Sequence, residues 1–505
     1  MNLTIKEIID ACNGEAHIKP DTDLNTKVTG VVLDSRLADK GGVFIAQKGE
    51  RVDGHSFIGQ VFEKGVCLVI CEMDPEQTKV CFGTEESAWG SYVVVKDSLI
   101  ALKEIAKAYR KNLNIPFVGI TGSVGKTSTK EFIAGVLSQK YKVLKTEGNY
   151  NNEIGVPLTL LKIREEHQAA VVEMGISDFG EMTRLTEMVQ PDIAVITNIG
   201  QCHLEFLKTR DGILKAKTEI FKCLSKDGRA VLFGGDDKLI TVPAVNGKEP
   251  VYFGEKGSVK SLAAEITSCE GMGLLGSKAD ISLKFKGKTV FPGEAVSIDE
   301  TISVTVPLPG HHMVINAAAA SAVALLLGLT PKEIRSGIQN MGAIAGRNNI
   351  ITIGDITVID DCYNANPVSM KSSIDLLMLA KGRSIAILGD MFELGKNEKI
   401  MHSEVGEYAV TSGVTKIYCV GDLSHKMYEG AKEELQSLKK NKDREPKTEQ
   451  ISYWATRDEL IEAIREDVKT GKRQLLPPGS SVLIKASHGM HFEELVKAIS
   501  ETMEV

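Results

Sequence analysis

Residues 117–128 read Phe-Val-Gly-Ile-Thr-Gly-Ser-Val-Gly-Lys-Thr-Ser. An apolar run, Phe117 to Thr121, is followed by a glycine-rich turn and then by a helical pattern from about Thr127 to Tyr141. Strand, tight turn and helix start is the setting a phosphate-binding loop needs. Gly122 and Gly125 let the backbone turn so that successive N–H groups face phosphate oxygens, and the helix N-terminus adds partial positive charge. Thr121, Gly122, Ser123, Val124, Gly125, Lys126, Thr127 and Ser128 form the candidate nucleotide cradle, with Lys126 on the terminal phosphates and the Thr127 hydroxyl available to Mg²⁺. The strict G-x-x-x-x-G-K-[ST] spacing is missed, because Ile120 holds the first glycine position and Gly119 lies one earlier. No N-K-x-D guanine-reading motif is found, which favours ATP over GTP.

Around this loop the chain falls into three textures. Residues 1–113 open on an amphipathic stretch, Ile5 to Ala11. Short β-like runs follow at Gly30–Leu33, Val43–Ile45, Cys67–Ile70 and Tyr92–Val95, then a helical pattern from Ser98 to Asn112. Residues 114–344 alternate strand and helix, which predicts a parallel sheet covered on both faces. From Arg229 to Leu308 the period switches to two (AVLF, VYF, DISLKF, TISVTV), which reads as an antiparallel β-rich addition; two helices over His312–Leu327 and Lys332–Asn340 follow. Residues 345–505 alternate again, with a first strand over Ile350–Asp360 and others at Ser384–Gly389, Lys416–Val420, Ile451–Tyr453 and Ser481–Lys485; the polar run Lys439–Thr448 reads as a solvated loop. The fold class is thus α/β in three domains: a small α/β domain, a P-loop parallel-sheet domain with a β-rich addition, and a C-terminal Rossmann-like domain.

Composition narrows the function classes. With 505 residues, 43 % hydrophobic and 25 % charged, the chain has enough apolar surface to order, and its length suits about three domains. A net charge of −7 argues against bulk nucleic-acid binding. The nine cysteines are scattered, without a C-x-x-C pair, which fits buried thiols in a reducing cytosol. The N-terminus shows no basic region followed by an apolar core, and the longest apolar run, Ala317–Leu329, is too short to span a bilayer. The expectation is a cytoplasmic monomer without membrane insertion.

Outside the loop, Glu173 ends the apolar run AAVVE, where a carboxylate at a strand's C-terminal end would face the nucleotide. His203 follows the strand IAVITN, and Lys217 sits in KAKTEIF. Each taken alone reads at least as well as structural or surface chemistry; their joint order after a phosphate loop is what singles them out. Ser35 and Arg36, at a strand end, can bind a diphosphate, Arg36 through its planar fork. Asp390 and Glu393 follow the strand SIAIL, where they can meet a substrate ammonium or cap a helix.

Here the chain resembles a family, the Mur ligases, ATP-dependent amide-forming enzymes of peptidoglycan precursor synthesis. The matching stretches are Thr121–Ser128, Gly148-Asn-Tyr-Asn-Asn-Glu-Ile-Gly-Val-Pro157, Glu173-Met-Gly175, Asn198 with His203, Ala216-Lys-Thr-Glu-Ile-Phe221, Gly310-His-His-Met-Val-Ile-Asn316, Gly346-Arg347 and Asp360-Asp-Cys-Tyr-Asn-Ala-Asn-Pro367. Within the family, Tyr363–Pro367 and Gly389-Asp-Met-Phe-Glu-Leu-Gly395 resemble the members that join D-alanyl-D-alanine to UDP-N-acetylmuramoyl-tripeptide through an acyl phosphate. The resemblance implies a uridine-diphosphate-binding first domain, an ATP-binding second and a dipeptide-binding third. It implies that Thr127 and Glu173 hold one Mg²⁺ and that His203 with a carbamylated Lys217 serves a second, Lys126, Glu173, His203 and Lys217 being the catalytic set. It further implies that His312 and Asn316 lie near the adenine, that Arg347 and Asp361 reach phosphate and ribose from the third domain, and that Ser35, Arg36, Lys48, Asn152, Asn364, Asn366 and Asp390 meet the other substrates. Two departures stand out: Met313 replaces the usual Asn, and Lys485-Ala-Ser-His488 replaces K-G-S-R. A Mur-type ligase adding a single amino acid, a folylpolyglutamate-synthase-like ligase, and an ATP-dependent nucleotide switch remain as alternatives.

Overall fold

The structure is a computed structural model that describes residues 1–49, 52–73, 90–342, 349–440 and 446–503. Among these residues the strands form three sheets. The first has five strands, parallel from Val31–Val32 through Val43–Ile45 and Leu68–Cys71 to Ser91–Val94. A short strand that the sequence pattern did not reveal, Glu15–His17, pairs antiparallel with Ser91–Val94 at its edge. Three residues are too few to show an alternation.

The central sheet has nine strands. Phe117–Thr121, buried throughout, lies between Ala169–Glu173 and Ile193–Ile196, both parallel to it. The register sets Ile120 opposite Glu173 and Thr121 opposite Ile196, so three strand ends converge where the phosphate loop begins. The chain leaves this strand toward one edge, at Val143–Lys145, and leaves the adjacent Ile193–Ile196 toward the other, the switch point at which open α/β sheets form a crevice.

The β-rich segment differs from its expected form. Arg229–Phe233 and Val251–Glu255 continue the same sheet, parallel to Ile193–Ile196 and to each other. Antiparallel pairing is confined to Ala264–Gly271, Ser277–Lys288 and Ala295–Val306. A period of two reports a half-exposed face, not strand direction. Across this sheet lies the helix His311–Leu326, whose run Ala317–Leu326 is wholly buried. A helix apolar on every side belongs in a core, and alanine lets it approach the phosphate-loop helix Lys126–Leu137 closely.

The third sheet has six strands. The expected first strand is a hairpin, Asn349–Ile353 against Ile356–Asp360, folded at Gly354 with φ 57°. The remaining strands are parallel, with an apolar core on each face. The helix Ser424–Lys440 extends into the polar run expected to be a loop; residues 441–445 lie outside the described residues.

The cores do not follow the sheets one for one. A single apolar core runs from Ile5, Leu102 and Tyr109 of the first domain into Val156, Leu160 and Met188 of the second. Tyr109 donates to the Ile163 carbonyl at 2.6 Å. Arg110 donates to the carbonyls of Val189 (2.7 Å) and Gln190 (2.9 Å), while its guanidinium stacks 3.7 Å from the Phe117 ring centroid. By contrast the third domain's core receives only Leu204 and Leu274 from the second, among the described residues.

Arg110→Ala is therefore expected to loosen the first domain from the second. Two charge-assisted hydrogen bonds and a stacking contact at a mostly buried site set the loss at about 2–4 kcal/mol. The first urea transition should shift accordingly; an unchanged midpoint would count against this role.

Candidate active site

The phosphate loop is held in shape by the strand end beside it. Gly122 has φ 150°, and a Cβ there would come 1.9 Å from Thr197 Oγ1. Thr197 Oγ1 donates to the Val124 carbonyl at 2.7 Å. The Asn198 side chain brackets the same residue: Val124 N donates to Oδ1 at 3.0 Å and Nδ2 donates to the Val124 carbonyl at 2.9 Å. Ser123 N donates to the Asn198 carbonyl at 3.0 Å. Gly125, φ 83°, then opens the helix Lys126–Leu137, which no side chain caps. Its first N–H groups remain available to an anion. Lys126 Nζ folds back on the loop and donates to the Gly122 carbonyl at 2.9 Å.

Glu173 is 1 % exposed and clamped. Its Oε1 accepts from Asn151 Nδ2 at 2.9 Å and from Thr127 Oγ1 at 3.3 Å. Oε2 is buried and has no hydrogen-bond partner; the nearest cation is Lys130 Nζ at 3.9 Å. Lys130 is itself 1 % exposed and donates to the Thr146 carbonyl at 2.7 Å, while Thr146 Oγ1 accepts from Glu173 N at 3.0 Å. A hydroxyl beside a carboxylate with one orphaned buried oxygen fits a Mg²⁺ ion, which needs one or two protein oxygens and takes the rest from phosphate and water. Consistently, among the described residues no three His, Cys, Asp or Glu side chains form an all-protein cage. Asn151 and Lys130 escaped sequence reasoning. The two adjacent asparagines in Gly148–Pro157 drew notice to Asn152, and a lysine on a helix reads as solvated.

Lys217 lies on the helix Arg210–Thr218 and is 1 % exposed. Burial pushes its ammonium down from 10.5 to about 8. His203 caps the short helix Leu204–Leu207 in a left-handed conformation, φ 50°. Its Nδ1 lies 2.8 Å from Glu393 Oε2 of the third domain.

A cleft of about 680 Å³ lies between the second and third domains, with one end reaching the first at Lys103. Ser123, Lys126, Asn152, Glu173 and His203 line it from one side, and Asn364, Asn366 and His488 from the other. Asn152 Oδ1 also accepts from Ile154 N and Gly155 N, and Asn366 Oδ1 caps the helix Pro367–Met378 through Ser369 N at 2.9 Å.

Other expected site residues are committed elsewhere. Asp390 Oδ1 accepts from the backbone and hydroxyl of Ser424, both at 2.7 Å, and so caps the helix Ser424–Lys440; of its two expected uses the structure shows the capping one. Asp361 is 5 % exposed and pairs with the buried Lys485, which also donates to the Asn364 carbonyl at 2.9 Å. Asn316 accepts from Thr129 at 2.9 Å and so ties its helix to the phosphate-loop helix. Burial lowers the His312 imidazolium, against the opposing pull of the Asp361 carboxylate. Ser35 and Arg36 lie on the first domain, outside the cleft; Arg36 forks onto Asp34 at 2.7 and 3.0 Å and holds that carboxyl down at about 2. Lys48 bridges to Asp53 in the same domain. Arg347 lies outside the described residues.

A phosphate loop whose reaction chamber is roofed by a separate Rossmann-like domain defines a P-loop enzyme of the multidomain kind. Three family profiles place it further: "Mur ligase family, catalytic domain" matches residues 27–123, "Mur ligase middle domain" 120–324, and "Mur ligase, glutamate ligase domain" 346–488. The chain belongs to the Mur ligase family. It is 34 % identical to the UDP-N-acetylmuramoyl-tripeptide--D-alanyl-D-alanine ligase of Bacillus subtilis, over 99 % of this chain and 98 % of that one. The Escherichia coli protein of the same name is 29 % identical over 99 % of both chains. Among solved structures, MurF from Acinetobacter baumannii matches with a TM-score of 0.80 at 29 % identity, covering 99 % and 98 % of the two chains. MurF ligase from Thermotoga maritima in complex with ADP matches with 0.74 at 27 % identity, covering 94 % and 98 %.

Asn151→Leu keeps the size of the side chain and removes the donor that holds Glu173. Loss of such a supporting contact should weaken Mn²⁺ binding in the presence of ADP about 10–100-fold, read by electron paramagnetic resonance. Unchanged affinity would remove Asn151 from the metal's support.

Proposed function

We propose that the chain is an ATP-dependent ligase that joins D-alanyl-D-alanine to UDP-N-acetylmuramoyl-tripeptide in peptidoglycan precursor synthesis. The observation that carries this reading is the full-length likeness to proteins of that name, present in the same chain as a complete phosphate loop opening on an interdomain cleft.

In this reading ATP lies with its phosphates over Gly122–Thr127. Lys126 swings from the Gly122 carbonyl to the γ-phosphate and balances the charge that spreads over its oxygens. An oxygen of the tripeptide carboxylate attacks the γ-phosphorus, the bond to the β-phosphate bridging oxygen breaks, and an acyl phosphate and ADP result. The dipeptide amine then attacks the acyl carbon, phosphate leaves, and the amine's surplus proton is released. Mg²⁺ supplies Lewis-acid neutralisation of phosphate charge. Thr127 and Glu173 would hold one ion, and His203 with Lys217 a second. Asn152 would position the acyl acceptor, and Asn364 and Asn366 would line the dipeptide's approach. Ser35, Arg36 and Lys48 would hold the uridine diphosphate, for which Arg36 must exchange Asp34 for phosphate. His312, Asn316, Arg347 and Asp361 would frame the nucleoside.

Purified protein with ATP, Mg²⁺, UDP-N-acetylmuramoyl-tripeptide and D-alanyl-D-alanine should release phosphate only when all four are present. Release with a single amino acid in place of the dipeptide, or without either, would overturn the assignment.

The buried Lys217 bears on the second ion. An ammonium would repel Mg²⁺, whereas the neutral amine can attack CO₂, lose a proton and become a carbamate with carboxylate-like oxygens. With an ammonium pKa of about 8, roughly one lysine in ten is neutral at pH 7, against about one in three thousand for an ordinary side chain. At constant dissolved ¹³CO₂, the carbamate ¹³C signal should rise from pH 6 to pH 9 as the ammonium deprotonates, and be absent from Lys217→Ala. A signal that persists in that variant would assign the carbamate elsewhere.

A further inference from the structure

Among the described residues, Glu393 is the one acidic side chain that the third domain's lining of the cleft presents to His203. Its Oε2 lies 2.8 Å from Nδ1, close but not aligned with the ring N–H as a hydrogen bond. The carboxyl is held below its usual range, chiefly by His203. Glu393 is 56 % exposed, so the pair is screened and contributes little to docking of the domain. Apolar contact does that better: Leu204, next to His203, packs into the third domain's core. What the pair adds is direction.

Both partners sit on unusual backbone. His203 and Glu393 are non-glycine residues with φ 50° and 61°. Such conformations are costly for residues with a Cβ and persist only where the surroundings enforce them. The loop bearing Glu393 is enforced at every neighbouring residue. Asp390 caps the helix Ser424–Lys440, Met391 N donates to buried His402 Nε2 at 2.9 Å, and Phe392 N donates to Ser487 Oγ at 2.9 Å. Gly395, φ 68°, abuts Glu205, where a Cβ would stand 3.5 Å from the Glu205 backbone. A rigid loop of one domain thus delivers a carboxylate to the imidazole of another.

A histidine that ligates a metal with one ring nitrogen almost always gives the other N–H to a carboxylate or carbonyl, which fixes the tautomer and turns the ring. We propose that Glu393 is a positioning residue for the second metal site: contacting His203 at Nδ1, it reserves Nε2 for the ion, and because it belongs to the third domain the site is complete only when that domain is docked. This rests on the metal role given to His203 above. It makes the acyl-side ion conditional on the domain that brings the dipeptide, so that the tripeptide carboxylate is activated only once the acceptor's domain is in place.

Mn²⁺ titration of the full chain with β,γ-imido-ATP, followed by electron paramagnetic resonance, tests it. Wild type should bind two ions. In Glu393→Gln the second should weaken about 10–100-fold while the first, at Thr127 and Glu173, keeps its affinity; Glu393→Asp should recover part of the loss. A merely structural role would weaken both ions together or lower Tm without splitting them. Two ions of wild-type affinity in Glu393→Gln overturn this inference alone, whereas a single ion in the wild type overturns the two-ion reading of the active site and this inference with it.

Discussion

The amide bracket between Asn198 and Val124 is the contact on which the site depends. A side-chain amide meets a backbone amide donor-to-acceptor in both directions, as two strands would. It shapes the loop after Phe117–Thr121 directly ahead of the helix Lys126–Leu137. Because Asn198 follows the neighbouring strand Ile193–Ile196, the loop's shape is inherited from sheet register. The same register brings Glu173 to Thr127 from the other side. An anion site and its carboxylate are thereby placed by strand register together with the Asn198 side chain, which spares ordering when substrate arrives.

Two mechanical units follow from the packing. The first and second domains share one apolar core and buried hydrogen bonds, so they move together or not at all. The third domain keeps its own two cores and meets the second through Leu204, Leu274 and a screened ion pair. Motion between units belongs where buried contact is sparse, and here that is the wall of the cleft. Residues such as Asn364 and Asn366 therefore have positions fixed within their domain and distances to the phosphate loop that depend on closure.

The parts of this arrangement legible in sequence are those governed by local rules. Phe117–Thr121 reads as a strand because Phe117, Val118 and Ile120 lead into a glycine turn, and the helix from Ser98 reads from its apolar periodicity. Strand direction in 229–255 was not legible, since alternation is the same for parallel and antiparallel neighbours. The hairpin at Gly354 was hidden because Gly354-Asp355 is a short interruption between two β-branched runs that together read as one strand. At the site, residues marked by motif order, Lys126, Glu173 and His203, do line one cleft. Asn151 and Lys130 were not legible, because what distinguishes them is a partner 22 or 43 residues away and burial that no spacing reveals. Asp390 carries the opposite lesson: a carboxylate at a strand end serves a helix as readily as a ligand.

The shared core has a consequence for how such a protein can be inherited. The face of Ser98–Lys111 formed by Leu102, Ile105 and Tyr109 is completed by residues of the second domain. Severed from them, the first domain would bare a continuous apolar stripe, the kind of surface that drives aggregation. A cut near residue 113 therefore exposes apolar surface on both sides. A joint near residue 344 is open, because the third domain carries its own interior. Exchange of that self-contained module would alter the far wall of the cleft, Glu393 included, while leaving the phosphate loop and Glu173 as they stand.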